Sequence, residues 1–149
     1  MRRYGFYIEA WYQSKEQKIS VYIPEINTAT SIAEQYGTPV FITNKETIEN
    51  RVKLLRQAFN FKSSIYYAVK ANYNPEILRT PKDAGVDGVD TVSEFEVKLA
   101  MKLGFKPNQI IFTGNNSSDE EIQNVNAKGV LLNIGSLSEL YVVRIFWTH

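Results

Sequence analysis

Gly88-Val-Asp-Thr-Val-Ser-Glu-Phe-Glu96 joins a short run of small and β-branched residues to a hydroxyl that is followed, three positions on, by a carboxylate. The first half predicts a strand over 88–92. The second half predicts a helix start, because Ser at the N-cap and Glu at the third helical position satisfy backbone donors that the first turn leaves orphaned. The same succession recurs downstream. A strand over 109–113 precedes Ser118-x-x-Glu121, and a strand over 130–134 precedes Ser136-x-x-Glu139. One Ser-x-x-Glu arises readily by chance, but three, each after an apolar run, define a strand–helix repeat.

The repeat extends upstream from the same stretch. Ser64 to Ala71 is rich in β-branched and aromatic residues and predicts a strand. Pro75 then opens a helix, since a first-turn proline gives up no useful donor. Pro81 follows where that helix should still be running, and an interior proline costs about 3 kcal/mol, so the helix is expected to stop at Arg79. Pro39 to Thr43 predicts a short buried strand. Ile48, Val52, Leu55 and Phe59 then recur on one helix face. Before Gly37 the pattern is weaker: an aromatic, partly alternating stretch at 4–12, a short strand at 18–23 and a short helix at 29–36.

Strands joined through helices run parallel, with the crossovers covering the sheet. That leaves an α/β fold of two kinds, a (β/α)8 barrel or an open doubly wound sheet. No Gly-x-Gly-x-x-Gly follows the first strand, and no Gly-x-x-x-x-Gly-Lys-Ser/Thr occurs, so the two familiar open-sheet nucleotide signatures are missing. The expectation is a TIM-type barrel, incomplete, with about five βα units where a whole barrel takes about 250 residues.

Composition narrows the function. Of 149 residues, 44% are hydrophobic and 22% charged, with 17 basic against 16 acidic side chains and a net charge of +1. Such a balance gives no electrostatic reason to bind nucleic acid or an anionic membrane. No apolar run is long enough for a bilayer, and Met1 to Tyr4 carries two arginines with no apolar segment behind them, so no secretory signal is expected. The sequence has no cysteine and one histidine, His149, which excludes disulfides, thiolate metal sites, a histidine-based triad and a histidine zinc cluster. A cytoplasmic protein without a metal site is expected.

In Ile65-Tyr-Tyr-Ala-Val-Lys70-Ala-Asn72, alternation places Tyr66, Ala68 and Lys70 on one side of the strand. Lys70 then stands at the carboxyl end, where barrel active sites are built, above a small Ala68 that leaves room for a ligand. A lysine partly desolvated there becomes a nucleophile toward an aldehyde and forms a Schiff base. Without its context, a strand-end lysine is ordinarily solvated.

The context is a resemblance. Tyr67-Ala-Val-Lys-Ala-Asn72 resembles the lysine motif of the alanine-racemase-like barrel enzymes, above all their decarboxylase branch. Asp90-x-x-Ser-x-x-Glu96, Ile111-Phe-Thr-Gly-Asn-Asn116 and Asn133-Ile-x-Ser-x-Ser-Glu-Leu140 are similar to later elements of that branch, in order and at suitable distances. Tyr36-Gly-Thr-Pro-Val-Phe41 is similar to its entry into the first barrel strand. Within the branch the wording lies nearest the group that acts on diaminopimelate.

The resemblance implies a pyridoxal 5'-phosphate-dependent amino-acid decarboxylase that makes L-lysine from meso-2,6-diaminopimelate. Lys70 would carry the cofactor and Asp90, inward beside Val92, would lie near it, with Ala68 beneath. Ser93 and Glu96 need nothing beyond capping, and Asn72 and Asn115 suit turns or caps as well as ligand contacts. It also implies that a stacking histidine, a glycine-rich phosphate cradle, a glutamate at the ring nitrogen and a carboxy-terminal β domain lie beyond residue 149. Full-length members form head-to-tail homodimers. The expected layout is a lead-in over 1–36, a partial barrel over 37–140 and a tail over 141–149 unlike the family. This chain alone is expected to be inactive and to self-associate. Alternatives are a non-catalytic relative that keeps the lysine, alanine racemase, which Asp90-x-x-Ser-x-x-Glu96 speaks against, and ornithine or arginine decarboxylase.

Overall fold

The structure, a computed structural model, describes residues 24–59 and 61–146. The chain divides into two compact units, Met1–Ile42 and Thr43–His149. In the first, helix α1 (Ile26–Tyr36) begins ahead of the expected 29–36 and ends where Gly37, at φ 82, donates its N–H to Ala33 at 2.8 Å. Positive φ is open to glycine because it has no Cβ. The strand expected at 18–23 and the aromatic stretch 4–12 lie outside the described residues.

The strand expected over 39–43 does not form. Among the described residues it joins no sheet, and Phe41 is 88% exposed with Val40 and Ile42 beside it also in solvent. A strand, unlike a helix, has no hydrogen bonds of its own to fall back on, so an apolar run without a neighbouring strand stays irregular.

The second unit runs α2 (Lys45–Ala58), β1 (Tyr66–Ala68), α3 (Pro75–Asp83), β2 (Gly88–Thr91), α4 (Glu94–Lys102), β3 (Ile110–Phe112), α5 (Asp119–Asn126), β4 (Leu131–Leu132) and α6 (Leu137–Phe146). The four strands form one sheet in the order β1-β2-β3-β4, every pair parallel. This is a partial (β/α)8 barrel with four paired βα units rather than five, the shortfall being the unpaired 39–43.

Register and burial explain the layers. Ala68, Asp90, Ile111 and Leu131 align across the sheet, and none of the four is buried. The alternate residues Val89, Thr91, Ile110 and Phe112 are buried, packed with Leu78 of α3, Val97 and Ala100 of α4 and Val125 of α5. The core therefore lies between sheet and helices, and the other sheet face is the open one. On α2 the expected face is only partly used: Val52 is buried, while Leu55 and Phe59 remain exposed. The far end of α2 is tied down by Arg56, which donates to Ser63 and Gly85 carbonyls at 3.0 and 2.9 Å and pairs with Asp87 at 2.7 Å.

Two local expectations need correction. Helix α3 does not stop at Arg79 but continues to Asp83 with Pro81 inside it. The ring is fully buried, and the loop that follows supplies donors: Ala84 to Thr80, Gly85 to Lys82 and Val86 to Pro81. One intrahelical bond is forgone and apolar burial offsets it. The caps are likewise half as expected. Ser93, Ser118 and Ser136 each accept from the N–H of the glutamate three residues on. The carboxylates do not return to those serines. Glu96 accepts from Val92 N–H and Glu139 from Gly135 N–H, one residue earlier, whereas Glu121 reaches the N–H of Glu94, the first residue of α4.

Candidate active site

Lys70 lies just past the carboxyl end of β1, in a 3-10 turn over Val69–Ala71. The strand's hydrogen-bonded ladder ends at Ala68, but the burial pattern continues: Val69 is wholly buried in the core and Lys70 is exposed. Beyond it, Asn72 Oδ1 accepts from Asn74 N–H at 2.9 Å and Asn74 Oδ1 from Glu76 N–H at 3.0 Å. These two asparagines shape the turn and cap α3. Tyr67, facing the helices, has its phenol pushed up by burial.

Asp90 pairs with Ala68 in the parallel register, so both lie on the open face, two residues short of Lys70 along β1. Its Oδ1 accepts a hydrogen bond from Thr113 Oγ1 at 2.7 Å. Thr113 follows β3 directly and shares the Ile111 face; its own N–H donates to the Thr91 carbonyl at 2.8 Å. The sequence reading gave Thr113 no role. Its signal was there, since period-two alternation from Ile111 puts Thr113 on the face that Asp90 shares.

Gly88 completes the floor. A Cβ at this position would collide with the Gln109 carbonyl and the Tyr66 ring, so the close approach of that ring to β2 requires glycine. Ser93 and Glu96 keep to capping, and Asn115 is exposed in the loop after β3. A cleft of about 350 Å³ lies apart from Lys70 and Asp90, at the start of α2 and along α3, lined by Thr43, Lys45, Glu76 and Arg79 among others. With cations and anions mixed, it has no evident single ligand. Among the described residues no helix is long and apolar enough to cross a membrane.

The open face thus offers an exposed primary amine at a strand end, a small residue two places before it and a carboxylate held by a hydroxyl. A parallel (β/α) sheet of this kind, with its strands in sequential order, is the architecture of a (β/α) barrel domain. The family described as pyridoxal-dependent decarboxylase, pyridoxal binding domain, matches residues 45–147, and the chain belongs to it. That match, like helix α6, runs into the stretch read as a foreign tail.

The chain is 36% identical over 115 residues to a diaminopimelate decarboxylase of Methanothermobacter thermautotrophicus, covering 75% of this chain and 27% of that protein. It is 37% identical over 116 residues to one from Campylobacter jejuni, covering 76% and 28%. The crystal structure of Helicobacter pylori diaminopimelate decarboxylase complexed with L-lysine superposes with a TM-score of 0.70 at 31% identity, covering 80% of this chain and 31% of that one. A lysine/ornithine decarboxylase from Vibrio vulnificus, complexed with putrescine, has a TM-score of 0.74 at 23% identity over 85% and 35%, and shows the fold alone. The chain therefore spans under a third of the length of the curated relatives it matches.

Proposed function

We propose that the protein is a diaminopimelate decarboxylase, converting meso-2,6-diaminopimelate to L-lysine and carbon dioxide, with Lys70 as the residue that carries pyridoxal 5'-phosphate. The observation that carries the reading is Lys70 in the turn just past the carboxyl end of β1, a strand whose Ala68 is in register with Asp90. The donor set suits the group. An exposed amine can condense with an aldehyde, releasing one water, and Ala68 leaves space on the open face.

When bound, the cofactor supplies a sink for the electron pair left on carbon as the carboxyl group departs. The chain's own residues have simpler tasks. Lys70 Nζ bonds the ligand and holds it at the mouth of the sheet. Asp90 presents a carboxylate on the same face, and Tyr66 and Gly88 provide a floor without a protruding side chain. A cytoplasmic setting and a homodimer of the full-length protein belong to the same proposal, as does a barrel domain beginning near residue 37.

Incubation with pyridoxal phosphate, reduction with borohydride and peptide mapping tests the assignment. Pyridoxyl is expected on Lys70 at cofactor concentrations where other lysines are sparsely labelled, and Lys70→Ala should remove the saturable part. Label spread evenly over the surface lysines would reject it.

A further inference from the structure

We propose that Thr113 is a positioning residue for this site, acting through Asp90; the inference rests on the reading of Lys70 above. Asp90 is a carboxylate on a short strand, on the open face, and the described residues give its side chain one partner, the Thr113 hydroxyl at 2.7 Å. Left to itself, such a side chain rotates freely about its terminal bond. Thr113 is in the opposite condition. Its N–H is fixed to the Thr91 carbonyl at 2.8 Å, which extends the β2–β3 ladder by one residue. Its branched Cβ restricts χ1, so backbone position determines where the hydroxyl points.

The hydroxyl therefore transmits the geometry of the β2–β3 ladder to one oxygen of Asp90, and the second oxygen is left to face the ligand held by Lys70. Neither neighbour on the ladder can substitute. The other threonine, Thr91, is buried on the opposite face and donates to the Ile111 carbonyl at 2.8 Å. Ile111, in register with Asp90, has no side-chain donor.

The test follows the rate of borohydride-trapped pyridoxyl at Lys70 by peptide mass, with the surface lysines of the same molecule as internal reference. Thr113→Val keeps the branched shape and removes the donor; it is expected to slow Lys70 labelling about tenfold, as loss of a bond to a charged group would. Thr113→Ser restores the hydroxyl and should return the rate to within about twofold of the parent. In Asp90→Ala the further change Thr113→Val should make no difference, since the two act in series. Equal rates in the parent and Thr113→Val, no rescue by Ser, or additive losses in the double variant would each overturn the proposal. Labelling that shows no preference for Lys70 in the parent chain would instead overturn the reading beneath it.

Discussion

A single carboxylate, Asp87, joins three chain segments at the entry to β1 and β2. It accepts the Ile65 N–H and the Arg56 guanidinium, both at 2.7 Å. The bond from Ile65, then that from Arg56, hold its carboxyl below the ordinary range. Because the folded value is depressed, the unfolded chain takes up the proton first. The contribution to stability is present above the unfolded value, about 3.9, and is lost as pH falls through the folded one. The group is well exposed, so the effect is modest. Urea unfolding between pH 6 and pH 2.5 should show an acid-side loss that is smaller in Asp87→Asn. An unchanged slope in that variant would remove Asp87 from the account. Gly88→Ala puts a methyl into the Gln109 carbonyl and the Tyr66 ring, and should cost about 3 kcal/mol by the same measurement. At this scale the sequence was uneven. The shared face of Ala68 and Asp90 was legible, since alternation along each strand predicts it and the parallel register bears it out. Thr113 was half legible: alternation from Ile111 puts it on the face of Asp90, but the cross-strand bond between them is something no single strand records.

The elements were more legible than their ends. Observed strands at 88–91, 110–112 and 131–132 fall inside the expected 88–92, 109–113 and 130–134. All three serines cap as expected, since that bond is local. Two of the carboxylates, Glu96 and Glu139, slipped by one residue to the N–H before the serine, and the third went to a neighbouring helix that the local pattern does not show. That third, Glu121, crosses from α5 to the first N–H of α4 at 2.8 Å. The adjoining Glu94 carboxylate would repel it, but Lys98 and Lys128 hold Glu94 at 2.9 and 3.0 Å and lower its proton affinity. Glu121→Ala removes an anion from a helix N-terminus and should cost about 1 kcal/mol, whereas Glu121→Gln, which retains an acceptor, should cost less. Equal losses in the two variants would mean that charge, not the hydrogen bond, dominates. Pro81 misled for a related reason: the helix pattern shows the lost donor, but not the buried site that receives the ring.

At the scale of the whole molecule, the parallel βα repeat was legible because every unit restates it, while the number of paired strands was not, since pairing is set by neighbours. Among the described residues the sheet ends at β1 on one side and at β4 on the other. Leu131 of β4 is 49% exposed, with Ile134, Leu137, Leu140 and Tyr141 also exposed on the segment after it. Free edges and contiguous apolar surface both favour self-association. A net charge of +1 offers little repulsion against it. The chain is therefore expected to form concentration-dependent oligomers, detected by size-exclusion chromatography with light scattering. Leu131→Lys should shift the distribution toward monomer, because a charge on an edge strand disfavours pairing with another edge. Leu137→Lys should act in the same direction by breaking the apolar patch, with the two effects adding if both surfaces take part. A monodisperse monomer at high concentration, unfolding in one sharp cooperative step, would mean that the open face and both edges are covered within one chain.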